Sequence, residues 1–224
     1  MPPGGGVPGL RWLGHSAVLL AGPPVVYIDP WRLEGRRGLP RAALILVTHG
    51  HFDHASPEDA ALVAGPDTVV AGPAAAIGAL PGRKVPLREG EVAVLAGVRV
   101  SAFPAHDRPA GFHPPGTGLG YLVEGAGPRV LHAGDTVVAP PRIDPPPDVI
   151  ALPVSGGTVF DADGAAAAAA ASGAPRALPL HWGDVQGGYA DAARFREVLA
   201  RLAPSVEVLL DESGAHRHRN RAES

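Results

Sequence analysis

The chain has 224 residues, 46% hydrophobic and 18% charged, with a net charge of −3, a composition that excludes wholesale disorder. The absence of cysteine excludes disulfides, thiolate metal sites, iron–sulfur clusters and a Cys nucleophile. Nineteen basic residues face 22 acidic ones and Lys84 is the only lysine, so no basic tract exists to drive nucleic-acid binding by counterion release. Metal chemistry, if present, must use carboxylates and the ten histidines.

In chain order, apolar runs at 10–13, 17–20 and 25–28 read as strands, the last two joined by a turn at Gly22-Pro23-Pro24. The continuous run 44–47 suits a strand covered on both faces. Ser56-Pro57-Glu58-Asp59 reads as a helix start: Ser caps, Pro takes the first position and acids fill the first turn, with the helix running to about Ala64. A strand at 68–70 and a short helix at 74–79 follow. Two hairpins are expected, 91–95 with 98–103 and 119–123 with 129–131. Beyond them lie a buried strand at 149–152, an Ala-rich helix at 163–171, a strand at 177–180, a helix at 190–202 and a strand at 206–210. Strands followed by strand–helix units occur twice, with halves of roughly 1–105 and 106–212, and predict two sheets packed together with helices outside. Residues 1–212 read as one domain and 213–224 as a disordered tail, whose His216 and His218 are expected to be solvated. No run of about 18 uncharged apolar residues marks a membrane span. The opening MPPGGGVPGL lacks the basic-then-apolar pattern of a secretory signal, so a cytoplasmic protein is expected.

The decisive segment is Thr48-His49-Gly50-His51-Phe52-Asp53-His54. Three His and one Asp within six residues, directly after a strand, form a cluster dense enough to chelate a divalent cation. Other apolar strands also end in residues that can ligate a metal: 25–28 before Asp29, 100–105 before His106, 130–131 before His132 and Asp135, and 177–180 before His181. Sites in α/β sheets gather outside the carboxyl ends of strands, so these residues converge on one edge.

His-x-His-x-Asp-His, a later His, Gly134-Asp135-Thr136 and a final His resemble the metallo-β-lactamase superfamily. Trp12-Leu13-Gly14-His15-Ser16, Ile28-Asp29-Pro30 and Pro179-Leu180-His181 are similar to its branch of small metal-dependent hydrolases that includes ascorbate-6-phosphate lactonase-like proteins. The resemblance spans about residues 10 to 212. It implies a four-layer αββα sandwich, with two mixed sheets face to face and helices outside. It also implies two metal ions. His49, His51 and His106 would hold the first, Asp53, His54 and His181 the second, and Asp135 would bridge them. Asp29 would support a ligand His or the loop, as metal-bound imidazoles need. Zinc suits five His and two carboxylates, and Mn or Fe can take such N/O sites. Phe52, where a Glu would stand in the oxygen-reducing di-iron branch, argues against that chemistry.

Such a site implies hydrolysis by a hydroxide bridging the two cations, with Asp53 orienting it. Metal coordination lowers the pKa of water towards ~7, and the residual positive charge favours an anionic transition state. A small ester, lactone or related carbonyl substrate, possibly anionic in itself, is the leading expectation. A phosphodiesterase acting on nucleotides or RNA is the first alternative, and a non-enzymatic metal-stabilised binding protein the second. The sequence leaves the oligomeric state open. His15 reads equally as facing the site or as a structural hydrogen-bonding residue. His132 reads as packing, and Trp182 and Asp184 as bordering the pocket. Arg36-Arg37 reads as a solvated loop. The Gly/Pro-rich segment 108–118 could be a lid offering His113, Phe112 or Arg108 to substrate, or a plain surface loop.

Overall fold

The computed structural model describes residues 6–108 and 111–210, so the expected tail 213–224 lies outside the described residues. Six strands form the first sheet: β1 (Leu10–Gly14), β2 (Ala17–Leu20), β3 (Val26–Ile28), β4 (Ala42–Leu46), β5 (Ala64–Gly72) and β6 (Arg83–Pro86), in sequence order. β1, β2 and β3 pair antiparallel, and β3 to β6 run parallel. Seven strands form the second sheet: β7 (Val92–Leu95), β8 (Val98–Ala105), β9 (Gly118–Glu124), β10 (Val130–His132), β11 (Val149–Pro153), β12 (Arg176–Leu180) and β13 (Glu207–Val208). Here β7 to β10 pair antiparallel, while β10 to β13 run parallel.

Strand alternation builds the layers. On β2, Val18 and Leu20 join the core between the sheets, and Ala17 and Leu19 face the other way. On β11, Val149 and Ala151 face that core, and Ile150 and Leu152 face the helices. Helices α1 (Pro57–Val63) and α2 (Ala74–Ile77) cover the outer face of the first sheet; Ala60, Val63, Ala76 and Ile77 close that layer. Helices α3 (Ala162–Ser172) and α4 (Tyr189–Leu202) cover the second through Ala165, Ala169, Phe195 and Leu199. The architecture is the four-layer αββα sandwich.

The caps follow the sequence chemistry. Ser56 Oγ accepts the Asp59 N–H at 3.2 Å at the start of α1. Asp161 does the same for Gly164 N–H at 2.8 Å ahead of α3, which ends on left-handed Gly173.

Two elements depart from the sequence expectation. β6 is absent from that reading because Arg83-Lys84-Val85-Pro86 has no apolar run; it is an edge strand, whose exposed side needs none. The division between the sheets falls between β6 and β7 rather than near 105. The hairpin β7–β8 belongs to the second sheet because β8 pairs with β9 from Arg99↔Glu124 to Ala105↔Gly118. Among the described residues no helix is long and apolar enough to cross a membrane.

The parallel strands of both sheets end at one edge. There Tyr121 Oη donates to Val47 O at 2.6 Å and Leu119 N–H donates to Thr48 O at 2.8 Å, tying the second sheet to the start of the His-rich segment. Buried His132 adds a third tie. Its Nε2–H donates to Ser16 O at 3.0 Å and its Nδ1 accepts the Gly134 N–H at 3.2 Å.

Candidate metal centre

The turn after β1, the ends of β3 and β4, the segment after β10 and the end of β12 deliver His15, Asp29, His49 to His54, Asp135 and His181 to that edge. Three of these, His15, Asp29 and His181, hold left-handed backbone, with φ of 49°, 47° and 57°. None is glycine, and each position costs about 1 kcal/mol or more of strain. Each follows the last residues of a strand, where the kink turns the side chain back over the sheet edge. Gly134 (φ 68°) makes room next door: a Cβ there would stand 2.8 Å from Leu119 O.

The ligand-type atoms converge in three groups, each with all members within 4.8 Å: His15, Asp53, His54 and His181; His49, His51 and His113; and His49, His54 and Asp135. Asp135 Oδ2 links them. It lies 2.9 Å from His181 Nε2, 3.5 Å from both His54 Nε2 and His113 Nε2, and 4.0 Å from His49 Nε2.

Supporting contacts orient the rings. Asp29 accepts the Thr48 N–H at 2.7 Å and the Thr48 Oγ1–H at 2.6 Å, and holds His54 Nδ1 at 2.7 Å, so His54 Nε2 points inward. Ser155 Oγ lies 2.9 Å from His181 Nδ1, and Thr48 Oγ1 lies 3.0 Å from His49 Nδ1. His15 Nε2 lies 3.0 Å from Asp53 Oδ2, which places His15 beside the site.

Electrostatics follow from this crowding. Burial, with the His54 imidazole next to it, pushes His49 well below the usual histidine range, and burial also lowers His15 and His51. Burial acts the same way on His54, but the carboxylates of Asp135 and Asp29 outweigh it and raise this histidine well above the usual range. Burial would raise Asp53, yet the His15 hydrogen bond and the His54 ring bring it down to about 2. Asp135 lies well below the ordinary carboxylate range because the His54 and His181 rings outweigh its burial.

The residues fit a divalent metal. Among the described residues, the buried side-chain atoms without a hydrogen-bond partner are His15 Nδ1, His54 Nε2, both ring nitrogens of His113 and Asp135 Oδ1, all within this cluster. Buried polar atoms are normally paired, so orphans gathered at one point mark a place where a bound cation would supply the missing partners.

The structure differs from the sequence expectation at His106. This residue belongs to none of the three groups. Its Nδ1 turns to the Asp107 carbonyl at 3.1 Å, and its backbone is fixed at both ends by Thr136 Oγ1, at 3.3 Å and 3.0 Å. His113 stands with His49 and His51 instead, 4% exposed. The signal that could have pointed there is Asp107. Its carboxylate accepts the Phe112 N–H at 2.8 Å and the Arg108 N–H, while its own N–H donates to His113 O at 2.9 Å. Gly111 is required under it, since a Cβ would lie 2.0 Å from Asp107 Oδ1. Trp182 is buried, stacked on Trp12 at 4.7 Å, and Asp184, its side chain only 7% exposed, is paired with Arg32. Arg36 donates to Leu13 O.

Fold and site define a metal-dependent hydrolase. The comparisons agree. The model of the beta-lactamase superfamily domain matches residues 9–181. A UPF0173 metal-dependent hydrolase of Methanosphaerula palustris is 33% identical over 217 residues, covering 92% of this chain and 98% of that one. One of Methanoregula boonei is 35% identical, covering 86% and 90%. Among solved structures, Igni18, a metallo hydrolase of Ignicoccus hospitalis, shares the fold with a TM-score of 0.66 at 20% identity, over 91% of this chain and 94% of that one. The chain belongs to the metallo-β-lactamase superfamily and, within it, to the UPF0173 metal-dependent hydrolases.

Proposed function

We propose that this protein is a binuclear hydrolase that opens an ester, a lactone or a similar carbonyl of a small, possibly anionic, substrate. The observation that carries the reading is the position of Asp135 Oδ2, within 4.0 Å of imidazoles from both ligand groups. One cation would be held by Asp53, His54 and His181, the other by His49, His51 and His113, with Asp135 shared. Zinc suits this donor set, and Mn or Fe would be accepted.

When bound, the cations would supply hydroxide at neutral pH and screen the charge that develops on the carbonyl oxygen. The chain does the rest. His15 fixes Asp53 Oδ2, so this carboxylate has one orientation, and its low pKa keeps it an acceptor. It orients the nucleophilic oxygen, and its proton is passed on to the leaving alcohol. The new bond is water oxygen to carbonyl carbon; the bond lost is carbonyl carbon to leaving oxygen. Asp29 and Ser155 hold His54 and His181 in the tautomers that keep Nε2 facing inward.

The test is metal analysis of the purified protein together with a panel of phenyl esters, lactones and bis-p-nitrophenyl phosphate, with and without chelator. Two equivalents of metal and chelator-sensitive turnover of esters or lactones are expected. Turnover of the phosphodiester alone would replace the carbonyl reading, and full metal loading with no turnover would leave a binding protein.

A further inference from the structure

Two of the five phenylalanines are exposed, Phe52 at 69% and Phe112 at 64%, whereas Phe103 and Phe195 are buried. Both exposed rings stand at the candidate metal centre, one against each half of it. Phe112 lies 4.5 Å from the His51 ring, on the His49–His51–His113 side. Phe52 lies 6.0 Å from Trp31, and Trp31 lies 5.1 Å from His15, on the Asp53–His54–His181 side. The Arg32 guanidinium lies 4.4 Å from the centre of the Trp31 ring, so that indole is held from its far neighbour as well. The backbone holds Phe112 in place, because its N–H donates to the buried Asp107 carboxylate at 2.8 Å. Apolar side chains exposed singly are ordinary, but two phenyl rings gathered at one site mark a surface that takes an apolar group, and rings prefer edge or offset contacts with other flat groups.

We propose that Phe52 and Phe112 receive a planar apolar group of the substrate, so that the natural substrate carries an aromatic or similarly flat moiety next to the scissile carbonyl. This deepens the hydrolase reading and rests on it. The occupant is a small molecule and not a protein partner, because Phe112 adjoins the His51 ring and Phe52 adjoins Trp31, which itself adjoins His15, so both rings border the reacting centre.

The experiment measures binding of two unreactive carboxylates, phenylacetate and acetate, to the metal-loaded protein by calorimetric titration. The readout is the ratio of their Kd values, so it is independent of turnover. Wild-type protein should bind phenylacetate about tenfold or more tightly than acetate. Phe52→Ala and Phe112→Ala should each cut that ratio by about threefold, and the double variant should bring it close to one. Val94→Ala, at an equally exposed apolar position on β7 away from the site, should leave the ratio as it was. A wild-type ratio near one, or a ratio that survives the double substitution, would overturn the proposal. A wild-type dimer that dissociates on the double substitution would also overturn it, by assigning the rings to a second copy of the chain. Loss of the hydrolase reading looks different: no ester or lactone is turned over, whatever the Kd ratio.

Discussion

The two ligand groups of the candidate metal centre are built differently. On the side of Asp53, His54 and His181, ligand-type atoms have a named partner behind them: Asp29 for His54, Ser155 for His181 and His15 for Asp53. His181 directly follows β12, Asp53 and His54 lie in the turn between β4 and α1, and all three side chains are at most 5% exposed. On the side of His49, His51 and His113, only His49 has such a partner, Thr48. His51 Nδ1 lies 2.8 Å from His49 Nε2, and His113 has neither ring nitrogen hydrogen-bonded. The first half is preorganised by the sheets. The second depends on a loop closed by one carboxylate, Asp107.

Five substitutions break or sharpen that contrast. Asp135→Ala strikes both halves at once. Metal analysis should find fewer than two equivalents, and chelator-sensitive hydrolysis should fall by about 10²–10³-fold or more. Asp29→Ala should disable the preorganised half, lowering metal affinity about 10- to 100-fold, and should also reduce stability by about 1–3 kcal/mol, because Thr48 loses two buried acceptors. Thermal unfolding of the metal-free protein reads the second effect apart from the first. Asp107→Ala should weaken only the loop half, about tenfold at one of two resolved binding steps in a metal titration. An equal loss at both steps would erase the distinction between the halves. His106→Ala is the smallest: metal content should not change and turnover should stay within about twofold, whereas His113→Ala should lose a site.

The same contrast explains what could be read from the sequence. His49, His51, Asp53 and His54 were visible because short spacings after an apolar strand need no tertiary knowledge. Asp29, Asp135 and His181 were visible because strand ends in such sheets share an edge. His113 was read only as a loop residue that could meet substrate and not as a ligand, because a residue in a loop has no periodicity to place it, and its position depends on the bonds of Asp107 and the missing Cβ of Gly111. His106 met the strand-end pattern, yet it stands outside the three groups, with its Nδ1 at the Asp107 carbonyl. The layers followed from alternation, while edge strand β6 escaped because half of it faces water.

The left-handed residues at 15 and 181 carry a further lesson. Glycine would adopt those torsions without the strain that a side chain brings, so at both of them the fold bears a cost for the side chain that the chemistry needs. A search for heat-resistant variants guided by folding alone should therefore converge on these two positions. It would return a sturdier protein with an emptied site.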